Sequence, residues 1–140
     1  MTPLYAQDHD YSAFNVLAVD DIPLNLLLVQ KMLSRFNFKL RTAANGQLAL
    51  DAVAQQKPDL ILLDLMMPGI DGFEVIRRLR ENPATSDIQI VILSALNSNE
   101  DVIKGFNAGA NDFIMKPIIM EKLLTCVVTQ MSIVEGKKRV

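Results

Sequence analysis

The chain has one cysteine, one histidine and no tryptophan among its 140 residues. A single cysteine, Cys126, cannot close an internal disulfide, so a reducing compartment, the cytoplasm, is expected. Cys126 sits in a helical apolar stripe and reads as core filler. The lone His9 lies in a polar N-terminal stretch, without the co-ligands a transition-metal site needs. No apolar run approaches the ~20 residues of a membrane span. The first residues lack the charged and apolar regions of a signal peptide. Charge of one sign is not in excess either. A formal net charge of −2 gives no basic footprint for direct nucleic-acid binding. Internal repeats and low-complexity tracts are missing too.

What is present is a composition of 50% hydrophobic and 21% charged residues, ordinary for one α/β domain able to bury its own core. Residues 1–14 read as a flexible leader, 15–134 as the domain, and 135–140 as a basic tail or linker stub. Within the domain, strand and helix signals alternate. Val16-Leu17-Ala18-Val19 is a buried strand, and Pro23 suits a first helical turn. Leu26, Val29, Leu33 and Phe36 then recur at helical spacing. A short strand over 38–43 is followed by Asn45, a helix N-cap. Leu60-Ile61-Leu62-Leu63 is the next strand, and Asp71 with Glu74 has capping-box spacing. A strand over 89–94 precedes Ser98 and Asp101, again a capping pair, and Gly109 falls at a helix C-terminus. A last strand over 112–115 leads to the stripe Ile119, Leu123, Val127, Met131 and Val134. Five such β-α units imply a doubly wound, three-layer parallel sheet.

The polar residues fall where such sheets build sites, just past the carboxyl ends of strands. Asp20 and Asp21 end the first strand, Asp64 the third, Ser94 the fourth, and Lys116 follows the last. Singly, each is an ordinary cap, turn residue or solvated charge. Together they would converge. Three carboxylates in one crevice repel one another and raise one another's pKa values. A hard divalent cation such as Mg²⁺ removes that cost. A carboxylate so placed can attack phosphorus and form an aspartyl phosphate. The transferring group then wants a cation, an ammonium and a hydroxyl or N–H around it.

The order and flanks of these residues are shared with a family. Val19-Asp20-Asp21, Asp64-Leu65-Met66-Met67-Pro68-Gly69-Ile70-Asp71-Gly72, Ser94-Ala95 and Gly109-Ala110-Asn111-Asp112-Phe113-Ile114-Met115-Lys116-Pro117 together resemble a response-regulator receiver domain of two-component signalling. The resemblance implies a flavodoxin-like sheet of order 2-1-3-4-5. It implies Asp64 as phosphoacceptor, with Asp21, Asp64 and the Met66 carbonyl on Mg²⁺ (or Mn²⁺) and Asp20 acting through a metal-bound water. Lys116 would pair with the phosphoryl oxygens, and its bond to Pro117 would be cis. Ser94 would swing toward the phosphoryl group with help from the Ala95 N–H, and Phe113 would rotate inward as Ser94 moves. The donor would be a histidine kinase or phosphotransfer protein. The output would be a changed face of the fourth helix, fifth strand and fifth helix, open to a homodimer or a downstream effector.

Two residues depart from the commoner pattern. Ser94 keeps the hydroxyl of the usual threonine, whereas Phe113 lacks the hydroxyl of the usual tyrosine. Apolar Met66, two residues after the acceptor, predicts slow loss of the phosphoryl group, because it cannot orient an attacking water. Met67 reads as loop packing. Three rivals remain. A haloacid-dehalogenase-type phosphatase needs a second acid two residues after the nucleophile, where Met66 cannot move protons. A flavodoxin-like FMN carrier would meet repulsion from the acidic first loop. A pseudo-receiver would bind partners without phosphorylation.

Overall fold

The computed structural model describes residues 10–138. The His9 expectation falls outside them. The elements alternate as β1 (Asn15–Val19), α1 (Pro23–Met32), β2 (Lys39–Ala43), α2 (Gly46–Gln55), β3 (Leu60–Leu63), α3 (Gly72–Glu81), β4 (Gln89–Ser94), α4 (Asn99–Ala108), β5 (Asp112–Met115) and α5 (Met120–Lys138). All strands are parallel and lie in the order β2-β1-β3-β4-β5.

The inner strands are apolar on both faces because helices cover both. Val16, Ala18, Leu60, Leu62, Val91 and Leu93 pack with Val29 and Leu33 from the α1 segment and with Leu123, Val127 and Met131 of α5. The alternate residues Leu17, Val19, Ile61, Leu63, Ile90 and Ile92 pack with Ala49 and Val53 of α2 and with Val75, Ile76 and Leu79 of α3. The period of two along each strand therefore writes two cores from one sheet.

The helix starts follow their caps. Asn45 accepts from the Leu48 N–H at 2.8 Å, Asp71 from Glu74 at 2.9 Å and Ser98 from Asp101 at 3.1 Å. Gly109 ends α4 with φ of +121°, a conformation glycine takes without a Cβ penalty. Helix α1 is shorter than its apolar stripe. It ends at Met32, where the Ser34 hydroxyl donates to the Lys31 carbonyl at 2.8 Å. Leu33 and Phe36 are still buried, but from the turn that follows.

Both expected domain edges need correction. Residues 10–14 are not a loose leader: Tyr11 and Phe14 are buried, and Tyr11 meets Phe36 edge-on at 5.2 Å. The polar look of the segment hid two aromatic anchors. Residues 135–138 are not a tail but the last turn of α5. Lys137 donates to the Asp87 carbonyl at 3.1 Å and to Gln89 Oε1 at 2.6 Å, and Gln89 donates to Gln130, both buried. Lys138 pairs with Asp59 at 3.3 Å. Partners on the sheet's amino edge hold basic groups that the sequence presented as solvated. Among the described residues, no helix is long and apolar enough to cross a membrane.

Candidate functional site

Register brings the acids together. Val19 pairs with Leu63 across β1 and β3, so the next residues, Asp20 and Asp64, stand side by side at about one strand spacing, roughly 4.8 Å. Backbone bonds fix both. The Asp20 N–H donates to the Ala43 carbonyl at 3.2 Å, and the Asp64 N–H to Val19 at 3.0 Å. Asp21 follows in the loop before α1. One carboxylate oxygen from each of Asp20, Asp21 and Asp64 lies within 4.8 Å of the others. Asp20 and Asp64 are buried, while Asp21 is half-buried.

Lys116 comes from the far side of the sheet. β5 is three strand spacings from β1, about 14 Å, a gap that the Lys116 side chain has to span along the edge. It does: Lys116 Nζ reaches Asp20 Oδ2 at 2.8 Å and Asp64 Oδ2 at 3.8 Å. The Lys116 N–H donates to the Ser94 carbonyl at 2.8 Å, and the Lys116–Pro117 bond is cis, as expected.

The Asp64 carboxyl is perturbed by its surroundings. Burial pushes its carboxyl above the usual value, Lys116 pulls it down, Asp20 pushes it up, the Met66 N–H lowers it and Asp21 raises it again. The Met66 N–H lies 3.4 Å from Asp64 Oδ1. The Met66 side chain is 62% exposed, whereas Met67 is buried.

The remaining expected residues are spread along the same edge. Ser94 is wholly buried, and its Oγ accepts from the Leu96 N–H at 3.1 Å. That bond holds the hydroxyl to its own loop, so reaching a group on Asp64 requires it to move. Ala95 is exposed. Phe113 is half-buried and packs on the α2–α4 core.

Two supports were not assigned a role from the sequence. A Cβ on Gly72 would meet the Asp64 carbonyl at 2.5 Å and Leu65 Cα at 2.8 Å. Helix α3 thus starts directly against the Asp64 backbone, and only glycine permits it. The signal was there: a glycine directly after an N-cap, where any helix former would serve an ordinary helix. Arg80 donates to the carbonyls of Gly109 (2.9 Å), Ser86 (2.9 Å) and Ile88 (2.6 Å) and to Asn111 Oδ1 (3.0 Å). It ties the ends of α3 and α4 to the approach of β5. Nothing in its sequence neighbourhood marks it.

A family model described as the response regulator receiver domain matches residues 16–128. The chain belongs to that family. Response regulator PleD of Caulobacter vibrioides is 45% identical over 103 residues, covering 74% of this chain and 23% of that protein. The chain thus spans about a quarter of that relative's length. Chemotaxis protein CheY4 of Vibrio cholerae has a solved structure with a TM-score of 0.76 and 31% identity, covering 81% of this chain and 95% of that one. The Mn²⁺-bound form of response regulator Rcp1 gives a TM-score of 0.72 and 29% identity, covering 83% and 90%.

Proposed function

We propose that this receiver domain is a phosphorylatable relay that takes a phosphoryl group onto Asp64 from a phosphohistidine of a histidine kinase or phosphotransfer protein. The observation that carries it is the meeting of three carboxylates within 4.8 Å with an ammonium set between Asp20 and Asp64. Such a cluster is costly as an ornament and useful as a phosphoryl site.

The residues fit a hard divalent cation. Asp21, Asp64 and the Met66 carbonyl would ligate Mg²⁺ or Mn²⁺, and Asp20 would act through a bound water. The ion would neutralise the acids and polarise the phosphoryl oxygens. The chain's own groups do the rest. An Asp64 oxygen attacks phosphorus, an O–P bond forms, the donor's N–P bond breaks, and the imidazole leaves with the electron pair and takes a proton. Lys116, now 3.8 Å from Asp64 Oδ2, pairs with the added oxygens. Ser94 releases the Leu96 N–H and turns its hydroxyl to the new acceptor, and the Phe113 ring follows into the vacated space. The changed face of α4, β5 and α5 is read by an effector or a second copy. Exposed Ile103, Phe106, Met115 and Ile119 suit that role.

The domain is then a cytoplasmic switch that assists its own phosphorylation and does not turn over a substrate. Met66, lacking any proton-moving group, supports that over a phosphatase. The test is incubation with Mg²⁺ and acetyl phosphate, followed by intact mass, with Asp64→Asn in parallel. One added phosphoryl group, lost in the variant and without Mg²⁺, is expected. A folded, Mg²⁺-binding protein that takes no phosphoryl group from acetyl phosphate or from a phosphotransfer protein would be a pseudo-receiver instead.

A further inference from the structure

Helix α4 is weakly anchored. Of its residues Gly105 alone is buried, whereas α3 buries Gly72, Val75, Ile76 and Leu79. Ile103 and Phe106 are 57% and 44% exposed. A glycine inside a helix is less favourable than alanine, so Gly105 needs a reason. The reason lies beneath it. A Cβ there would stand 2.7 Å from Ile92 Cδ1, and 3.3 and 3.5 Å from Cδ2 and Cε2 of Phe113. Ile92 and Phe113 are register partners across β4 and β5, so their side chains stand together on the face that α4 covers. The helix therefore rests with a bare Cα against the edge of the Phe113 ring.

We propose that Gly105 is the positioning residue through which the Phe113 ring sets how closely α4 sits on the sheet. The Ile92 contact is with the free end of a flexible side chain, which can turn away. The ring is rigid and can only move as a whole. When it moves, the helix loses or regains its seat, while half-buried Ala108 and the Lys104 contact with the Phe73 ring hold α4 elsewhere. The inference rests on the receiver reading for what drives the ring. The Gly105–Phe113 contact stands without it.

The test is a double-mutant cycle read by hydrogen exchange of peptides covering residues 99–108. The proteins are the native chain, Gly105→Ala, Phe113→Leu and the double variant. Helix propensity alone predicts slower exchange in Gly105→Ala, since alanine favours helix. A methyl group lifting α4 off the ring predicts exchange several-fold faster. In the Phe113→Leu background the smaller side chain leaves room, and the methyl group should cause no rise. Slower or unchanged exchange in Gly105→Ala, or an equal rise in both backgrounds, overturns the proposal. If Gly105→Ala alone does not fold, the cycle is run on Ile92→Val, which removes the 2.7 Å contact. Mg²⁺ and acetyl phosphate are then added. The native chain should change exchange in α4, and Gly105→Ala should show a smaller change. An equal change in both overturns the proposal. If no chain gains a phosphoryl group, the receiver reading fails, while the cycle without phosphodonor still decides the role of Gly105.

Discussion

Replacing Asp64 by asparagine should stabilise the metal-free protein at neutral pH, although it removes the proposed nucleophile. Asparagine keeps the shape and drops the charge. In the native site, an Asp64 oxygen lies within 4.8 Å of oxygens on two other carboxylates. At an effective dielectric of 20, each such pair costs about 3 kcal/mol. Lys116 at 3.8 Å from Asp64 offsets about 4 kcal/mol. The balance is unfavourable by about 2 kcal/mol, and burial of the charge adds to it. With screening at the open rim, Asp64→Asn should gain about 1–3 kcal/mol, or roughly 3–10 °C in Tm for a chain of this size.

The pH dependence has a definite sign. The folded-state pKa of Asp64 is raised, so the folded protein holds this proton more tightly than the unfolded chain. Stability from this group is therefore lost as pH rises from the ordinary carboxyl value through the raised one. The advantage of Asp64→Asn should vanish below that window and be complete above it. Mg²⁺ should narrow or reverse the order, because an ion at one hundred times its Kd adds about 2.7 kcal/mol and the variant has lost a ligand. Thermal and urea unfolding with chelator or Mg²⁺ from pH 3 to 8 reads all of this. A variant less stable than the native chain in chelator at pH 7, or equally stabilised by Mg²⁺, would refute the shared acidic site.

Lys116→Ala should do the opposite in chelator, lowering stability by about 2 kcal/mol as the acids lose their counter-charge. Mg²⁺ should recover most of it, while phosphorylation by acetyl phosphate slows at least about tenfold; a normal rate would exclude Lys116 from the transfer. Met66→Asn should shorten the phosphoryl lifetime about tenfold by giving an attacking water a hydrogen-bond partner, and a lifetime unchanged or longer in a decay assay would sink that role. Arg80→Ala strands three carbonyls and removes one of two donors to the Asn111 amide oxygen, which keeps the Ile90 N–H, so the urea midpoint should fall by the equivalent of about 2–4 kcal/mol. A loss under about 0.5 kcal/mol would show that water replaces the guanidinium.

The strands, the caps and the acidic triad could be read because each is written locally. A run such as Leu60–Leu63 followed by Asp64 carries its own period, its end and its charge. Asn45, Asp71 and Ser98 announce helix starts within three residues. What escaped is encoded across distance. The end of α1 depends on the Ser34 hydroxyl competing for a backbone carbonyl, against an apolar stripe that runs on to Phe36. The docking of Tyr11 needs Phe36, 25 positions away. Lys137 finds Asp87 and Gln89 at a separation of about 50. Arg80 and Gly105 carry no local mark, because their partners lie beyond the next turn of the helix and meet them only when the chain packs.

The same distinction explains why the site could sit on so plain a scaffold. With both faces of β1, β3 and β4 closed by apolar contacts, a charged group on these strands has no place except the edge. Parallel register then makes neighbouring strand ends coincide and sets Asp20 beside Asp64, while Asp21 joins them from the short loop before α1. The exception is the cation, which must cross three strand spacings. The Ser94 carbonyl holds the Lys116 N–H as one more rung of the β4–β5 ladder, and the long side chain reaches along the edge to the acids. Ser94 therefore contributes twice, its backbone fixing the Lys116 N–H at the end of β5 and its buried hydroxyl proposed to turn toward the phosphoryl group. A single strand end couples the charge that receives phosphate to the side chain proposed to respond to it.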